Sequence, residues 1–182
     1  VGTRITSHER VRKISFTGST ETGRDVMRRA SESNLKNVHL ELGGKSALVV
    51  CEDSDMECTL NYAIEAAFRN SGQNCACGSR ILVQNSIYKE FVDKFVERAK
   101  ALKVGDAFDD KNYMGPLVSK RQFEFVNSYV KHGMEQEKLN LACGGKRIGE
   151  KGFFLEPTVF TDVDDESKLA KEEIFGPVIC IL

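Results

Sequence analysis

Apolar and polar positions change period along this chain, and each change marks an element. Val11 to Thr17 reads as a short strand, and Gly18-Ser-Thr opens a turn. A helix follows to about Ser33, with Glu21 in its first turn, where a negative charge complements the helix dipole. Val38-His-Leu-Glu-Leu42 alternates as a strand, Gly43-Gly44 punctuates it, and Ala47-Leu-Val-Val50 is a further apolar strand. Strand, helix and strand in succession predict a βαβ unit with a parallel sheet.

Further along, Asp53-Ser-Asp55 is suited to cap a helix continuing to about Asn70, with Leu60, Ile64, Ala67 and Phe68 on one face. Ile81-Leu-Val83 reads as a strand. Ser86 is expected to begin a helix carrying Ile87, Phe91, Phe95 and Ala99 at helical spacing. Ser119-Lys-Arg-Gln122 has capping-box form and opens a helix that turns Phe123, Val126 and Val130 inward. Glycines at 144, 145 and 152 flank loops before an apolar strand near Val159 and Phe160, and Val178 to Leu182 is another strand-like run. The pattern is α/β throughout. Phe91, Phe95 and Phe123 are read as core, and the charged stretches around Arg24–Arg29 and Lys94–Lys100 as solvated helix faces.

Composition narrows the class. With 182 residues, 41% apolar and 29% charged, the chain is long enough for one domain or parts of two and suits a folded globular protein. A formal net charge of −1 gives no global attraction to nucleic acid or an anionic membrane, so neither is expected as a partner. No apolar run approaches the roughly 18 residues that span a bilayer. The cytoplasm is the default compartment, with mitochondria left open. The six cysteines are scattered rather than framed, and most are expected to be reduced and structural. The acids at Asp53, Asp55 and near Asp162 to Glu166 lack the spacing of a calcium loop, so no metal is expected.

The chemistry-bearing residues lie on Gly-marked loops. Cys75, within Phe68-Arg-Asn-Ser-Gly-Gln-Asn-Cys-Ala-Cys-Gly-Ser-Arg80, sits between a helical pattern and an apolar run. Gly72 and Gly78 bracket it, as they would where backbone must come close to a ligand. Most free cysteines are small buried hydrophobes, and Cys77 is the rival thiol. Glu41 lies on the turn Leu40-Glu-Leu-Gly-Gly-Lys-Ser46; a thiol and a carboxylate suit covalent chemistry on an electrophilic carbon, with the acid activating water. Gly18 to Gly23 lacks the Gly-x-Gly-x-x-Gly spacing, although small residues before a helix still offer backbone N–H groups to a pyrophosphate. A P-loop around Gly44-Lys45-Ser46 fails because His39 stands where a glycine is needed.

Taken in order, four segments resemble the NAD(P)-dependent aldehyde dehydrogenase superfamily. They are Ile14-Ser-Phe-Thr-Gly-Ser-Thr-Glu-Thr-Gly23, the Glu41 turn, the Cys75 loop with its Gly-Gln-x-Cys pattern, and Lys171-Glu-Glu-Ile-Phe-Gly-Pro-Val178. The resemblance implies an aldehyde dehydrogenase-like α/β fold built on parallel-sheet βαβ units and truncated at both ends. Residues 1–42 would close a Rossmann-like coenzyme domain, and 43–182 would form an incomplete catalytic domain. It implies Cys75 as nucleophile and Glu41 as general base, with Gly18, Ser19, Gly23, Leu42, Gln122, Glu173 and Phe175 on the coenzyme. NAD is the implied coenzyme, NADP being left open, and an aldehyde the substrate. A homodimer or homotetramer is implied for the full-length protein. The isolated stretch would be inactive. Alternatives are a relative that hands its acyl group to coenzyme A or phosphate, and a non-enzymatic crystallin-like relative. Two departures stand out: Ala47 where the family commonly has proline, and Arg69 where an apolar or aromatic residue is common.

Overall fold

The structure, a computed structural model, describes all 182 residues and divides into two compact units, Val1–Gly44 and Lys45–Leu182. The first unit opens with α1 (Gly2–Thr6), a short helix with no signal in the apolar pattern. Strand β1 (Lys13–Thr17), helix α2 (Thr20–Glu32) and strand β2 (Asn37–Glu41) follow, and β1 pairs with β2 in parallel from Lys13↔Asn37 to Thr17↔Glu41. This is the βαβ unit that the alternation predicts. The strand starts at Lys13 rather than Val11, whose N–H is engaged by the carbonyl of His8. Arg28 on α2 pairs with Asp25 and Glu32 and Arg29 with Asp25, a solvated face laced by contacts three and four residues apart. Lys36 is buried, and its ammonium donates to the Thr6 carbonyl at 2.7 Å, which ties α1 into the unit.

The second unit is built on a five-stranded sheet in the order β3-β4-β9-β8-β5. Its strands are β3 (Ala47–Val50), β4 (Arg80–Val83), β5 (Asn140–Cys143), β8 (Thr158–Thr161) and β9 (Val178–Ile181). The first four in spatial order run parallel and β5 is antiparallel to β8. Helices α3 (Met56–Phe68), α4 (Tyr88–Ala101), α5 (Lys120–Glu135) and the single turn α6 (Lys168–Lys171) connect them. A small hairpin, β6 (Arg147–Ile148) with β7 (Phe154–Leu155), stands apart.

The sheet is covered on both faces, which is why every residue of β8 and β9 is buried and β9 is an unbroken apolar run. Along β9, Ile179 and Ile181 pack with α3 and α4, whereas Val178 and Cys180 join the cluster of Val126, Val130 and Leu169 from α5 and α6. The α3–α4 cluster holds the expected core aromatics: Phe91 and Phe68 each stack against Phe95, at 5.7 and 6.0 Å between centroids. Phe123 is half-buried against the other cluster.

Helices α2, α3, α5 and α6 begin at side-chain caps, whereas α1 and α4 have none. Asp55 accepts from the Cys58 N–H at 2.8 Å, as its position predicts. Ser86 does not cap α4. Its hydroxyl donates to the Glu52 carboxylate at 2.6 Å, and a turn of 3-10 helix over Asn85–Ile87 precedes the helix. The box at Ser119 forms by half: Ser119 Oγ accepts the Gln122 N–H, but the Gln122 side chain turns elsewhere.

Candidate functional site

In the first unit, Ser19 caps α2, its Oγ accepting from the Thr22 N–H at 3.3 Å and donating to the Thr22 hydroxyl at 2.9 Å. Gly18 precedes it with its N–H donated to the Glu41 carbonyl at 3.0 Å, so the turn into the helix is fastened to the end of β2. Gly23 is buried one turn into α2. A Cβ there would lie 2.8 Å from Leu42 Cδ2, so this glycine lets the helix pack onto the residue after β2. Gly18, Ser19, Gly23, Glu41 and Leu42 are therefore grouped at one end of the β1-α2-β2 unit. The Glu41 side chain is exposed, and its Oε1 stands 3.0 Å from His39 Nε2, a neighbour the sequence reading did not pair with it.

The Cys75 loop in the second unit is shaped by an abrupt end to α3. The helix stops at Phe68 instead of continuing to Asn70, because Asn70, Ser71 and Gly72 take φ of 57°, 58° and 68° in succession. For the two residues with a side chain this left-handed region costs about 1–2 kcal/mol each. Contacts to the chain before α5 hold them there. Ser71 Oγ donates to the Gly115 carbonyl at 2.9 Å, and Gln73 Oε1 accepts the Val118 N–H at 2.9 Å. Neither contact is visible in the sequence, since the partners lie more than forty residues apart.

Past this platform the chain makes a tight turn. The Cys77 N–H donates to the Asn74 carbonyl at 3.0 Å, and Asn74 Oδ1 accepts the Ala76 N–H at 3.0 Å. Cys75 stands on the turn and is exposed. Cys77 folds back inside, donating its thiol to the Ala67 carbonyl, and burial pushes that thiol up to about 11. The geometry thus separates the two rival thiols: one is presented and one is stored.

The bracketing glycines serve the chain itself. A Cβ on Gly72 would lie 2.2 Å from the Gly176 carbonyl oxygen, and one on Gly78 would lie 3.1 Å from Ala66 Cβ. Both glycines are points of close packing, Gly72 against backbone and Gly78 against the Ala66 side chain. The Gly72 contact joins the Cys75 loop to the turn that carries Glu173 and Phe175. Glu173 is half-buried; Phe175 is 38% exposed and has φ of 54°. Gln122 Nε2 donates to the carbonyls of Ile174 and Phe175 at 3.2 and 2.9 Å, which places Gln122 with that turn.

Lys45 escaped sequence reading beyond the rejected phosphate loop. Its Nζ is buried with no hydrogen-bond partner. Burial lowers its basicity, and the charges that act on it come from Cys180, Cys77, Arg80 and Glu173. A signal existed in the sequence, a lysine between Gly-Gly and an apolar strand, but burial is a property of the packed fold.

The first unit thus presents a Ser-capped βαβ turn, and the second an α/β sheet with an exposed cysteine on a loop that follows a left-handed backbone reversal. The chain belongs to the aldehyde dehydrogenase family, whose model matches residues 1–182. It is 50% identical over its whole length to a mitochondrial aldehyde dehydrogenase of Leishmania tarentolae and 49% identical to retinal dehydrogenase 2 of Gallus gallus, spanning 36% and 35% of those proteins. Among solved structures, aldehyde dehydrogenase from Bacillus cereus (an E194S mutant) superposes with TM-score 0.95 at 46% identity, covering all of this chain and 36% of that one. Betaine aldehyde dehydrogenase from Staphylococcus aureus in complex with NAD+ gives TM-score 0.95 at 38% identity, again over the whole chain and 37% of its own. The chain thus spans little more than a third of the relatives it matches.

Proposed function

We propose that the full-length protein carrying this chain oxidises an aldehyde to a carboxylic acid with NAD+, through covalent attachment of the substrate to Cys75. The observation that carries this reading is the contrast between the presented Cys75 and the buried, hard-to-ionise Cys77 two residues away. Residues 1–42 act as the end of a coenzyme-binding domain and residues 43–182 as part of the catalytic domain. The substrates are small molecules, and the working protein is a homodimer or homotetramer of the cytoplasm or mitochondria.

The residues present suit the coenzyme. Gly18 and Ser19 at the capped start of α2 offer small side chains and the positive end of a helix of thirteen residues to a pyrophosphate. Gly23 and Leu42 support that turn from beneath. Glu173 takes a ribose hydroxyl, the exposed Phe175 lies beside the nicotinamide, and Gln122 belongs to the same end through its hold on their turn. NAD+, when bound, supplies a hydride acceptor.

Cys75 Sγ, deprotonated, bonds to the aldehyde carbon, and the carbonyl electron pair moves onto oxygen. The Cys75 N–H donates to that oxyanion. When the carbonyl re-forms, hydride leaves the carbon and a thioester remains on Cys75. Glu41 takes a proton from water, the hydroxide adds to the thioester carbon, and the C–S bond breaks to return the thiolate and release the acid. Water is thereby favoured over coenzyme A or phosphate as acyl acceptor.

The test is a comparison of variants of the full-length protein. Cys75→Ala should abolish aldehyde-dependent NADH formation while Cys77→Ala retains it, and Glu41→Gln should slow release of the acyl group more than the first burst of NADH. Full turnover in Cys75→Ala would remove the assignment.

A further inference from the structure

Strand β2 carries His39 two residues before Glu41, and the period of two along a strand puts both side chains on one face. His39 Nε2 stands 3.0 Å from Glu41 Oε1. The opposite face of the strand is taken by α2, where Leu40 Cδ1 would lie 3.5 Å from a Cβ on Gly23. On the His39 face the parallel partner β1 sets Ser15 beside His39 and Thr17 beside Glu41. Lys13, opposite Asn37, is the charged group that β1 adds to this face, and α2 lies on the far side of the strand.

The main chain and the side chain of Glu41 are held differently. The main chain is fixed by pairing with Thr17 and by the Gly18 N–H, which donates to the Glu41 carbonyl at 3.0 Å. The side chain is 62% exposed and reaches the His39 ring, itself 59% exposed. An unheld glutamate samples many rotamers, whereas a general base works from few of them. With the ring proton on Nε2, His39 donates to Oε1 and leaves Oε2 to face water.

We infer that His39 is a positioning residue for the general base: it holds one oxygen of Glu41 so that the other takes a proton from the water that opens the Cys75 thioester. The inference rests on the proposed role of Glu41, and His39 lies outside the four segments that carry the family resemblance. A pair this exposed adds little to folding, so its weight falls on acyl release. Imidazole gains its charge as pH falls from about 8 to 5. Once charged, His39 binds the carboxylate as an ion pair and withholds it from water, so acyl release slows on the acid side.

The experiment uses the full-length protein acetylated on Cys75 by p-nitrophenyl acetate, and follows loss of the acetyl group by mass spectrometry of the Cys75 peptide. His39→Leu keeps bulk and removes the donor; His39→Gln keeps an N–H of similar reach that does not titrate. At about pH 8, His39→Leu should release acetate roughly tenfold more slowly than the parent, the weight of a hydrogen bond to a charged group, and His39→Gln should stay within about threefold. The parent should slow as pH falls towards about 6, and His39→Gln should hold its rate over that interval. Acylation of Cys75 should stay within about twofold in both variants, and the unfolding midpoint should not move. Equal loss of acylation and release would mean general damage and would overturn the inference. So would parent-like release in His39→Leu, or parallel pH curves for the parent and His39→Gln, where Glu41→Gln is slow. Parent-like release in Glu41→Gln, or a Cys75 that takes no acetyl group, would instead bring down the proposed mechanism and the role of His39 with it.

Discussion

Gly72 and Gly176 meet backbone to backbone: the position a Cβ would take on Gly72 is 2.2 Å from the Gly176 carbonyl oxygen and 3.0 Å from the Pro177 nitrogen. The contact joins the loop bearing Cys75 to the turn bearing Glu173 and Phe175. It also has no flexible partner, because each side is main chain.

Gly72→Ala should therefore be among the most damaging single-methyl changes in the chain. The added Cβ collides with backbone, and φ of 68° is unfavourable for any L side chain. A loss of more than about 3 kcal/mol in denaturant unfolding is expected, above the usual range for a point change. A variant within about 1 kcal/mol of the parent would show that the two turns do not touch in this way.

Thiol accessibility gives a second prediction. Cys51, Cys58 and Cys75 are exposed, whereas Cys77, Cys143 and Cys180 are buried with their thiols pushed up to about 11 by loss of solvent. Iodoacetamide at pH 8, read out by peptide mass spectrometry, should modify the first three in the native state and all six only after unfolding. Native modification of Cys77 alongside Cys75 would erase the distinction on which the choice of nucleophile stands.

Part of this could be read in the sequence and part could not. The βαβ alternation, the Asp55 cap and the apolar run of β9 are local patterns, and β9 is apolar on both sides because helices cover both faces of its sheet. Ser86 and Gln122 depart from their expected capping roles for the opposite reason. Each is a competent capping residue by position, but each finds a stronger partner brought in by the fold, Glu52 from 34 residues away and the Ile174 and Phe175 carbonyls from 52 and 53. The reversal at Asn70 and Ser71 is likewise imposed by the Gly115 to Val118 segment. Helix α1 and the β6–β7 hairpin are too short to leave a periodic trace. The order of the family motifs is legible in the sequence, whereas what holds each one in place is not.

The buried thiols also set an alkaline limit. Each has a folded-state value raised from 9.0 to about 11, so the folded form disfavours the thiolate and the unfolded form does not. Their contribution to stability is complete below about pH 9 and is lost as pH rises towards 11, at up to about 1.4 kcal/mol per pH unit for each thiol. Stability measured against pH should fall across that window, and Cys180→Ala should fall less steeply than the parent. Parallel curves for the two would mean that Cys180 ionises as freely folded as unfolded.

Lys45 makes the opposite contribution. Its Nζ is buried without a hydrogen bond, and burial is the largest influence on it, outweighing the attraction of Glu173. The unfolded lysine holds its proton up to about its ordinary value of 10.5, while the folded one gives it up earlier. Stability therefore rises with pH through that interval, and below it the lysine is a net cost. Lys45→Met keeps the apolar stem and removes the stranded ammonium, so it should stabilise the fold by about 1–3 kcal/mol near pH 7. The gain should shrink towards pH 10, as the parent sheds the proton. A destabilised Lys45→Met at neutral pH would mean that attraction to Glu173, and not desolvation, governs this residue.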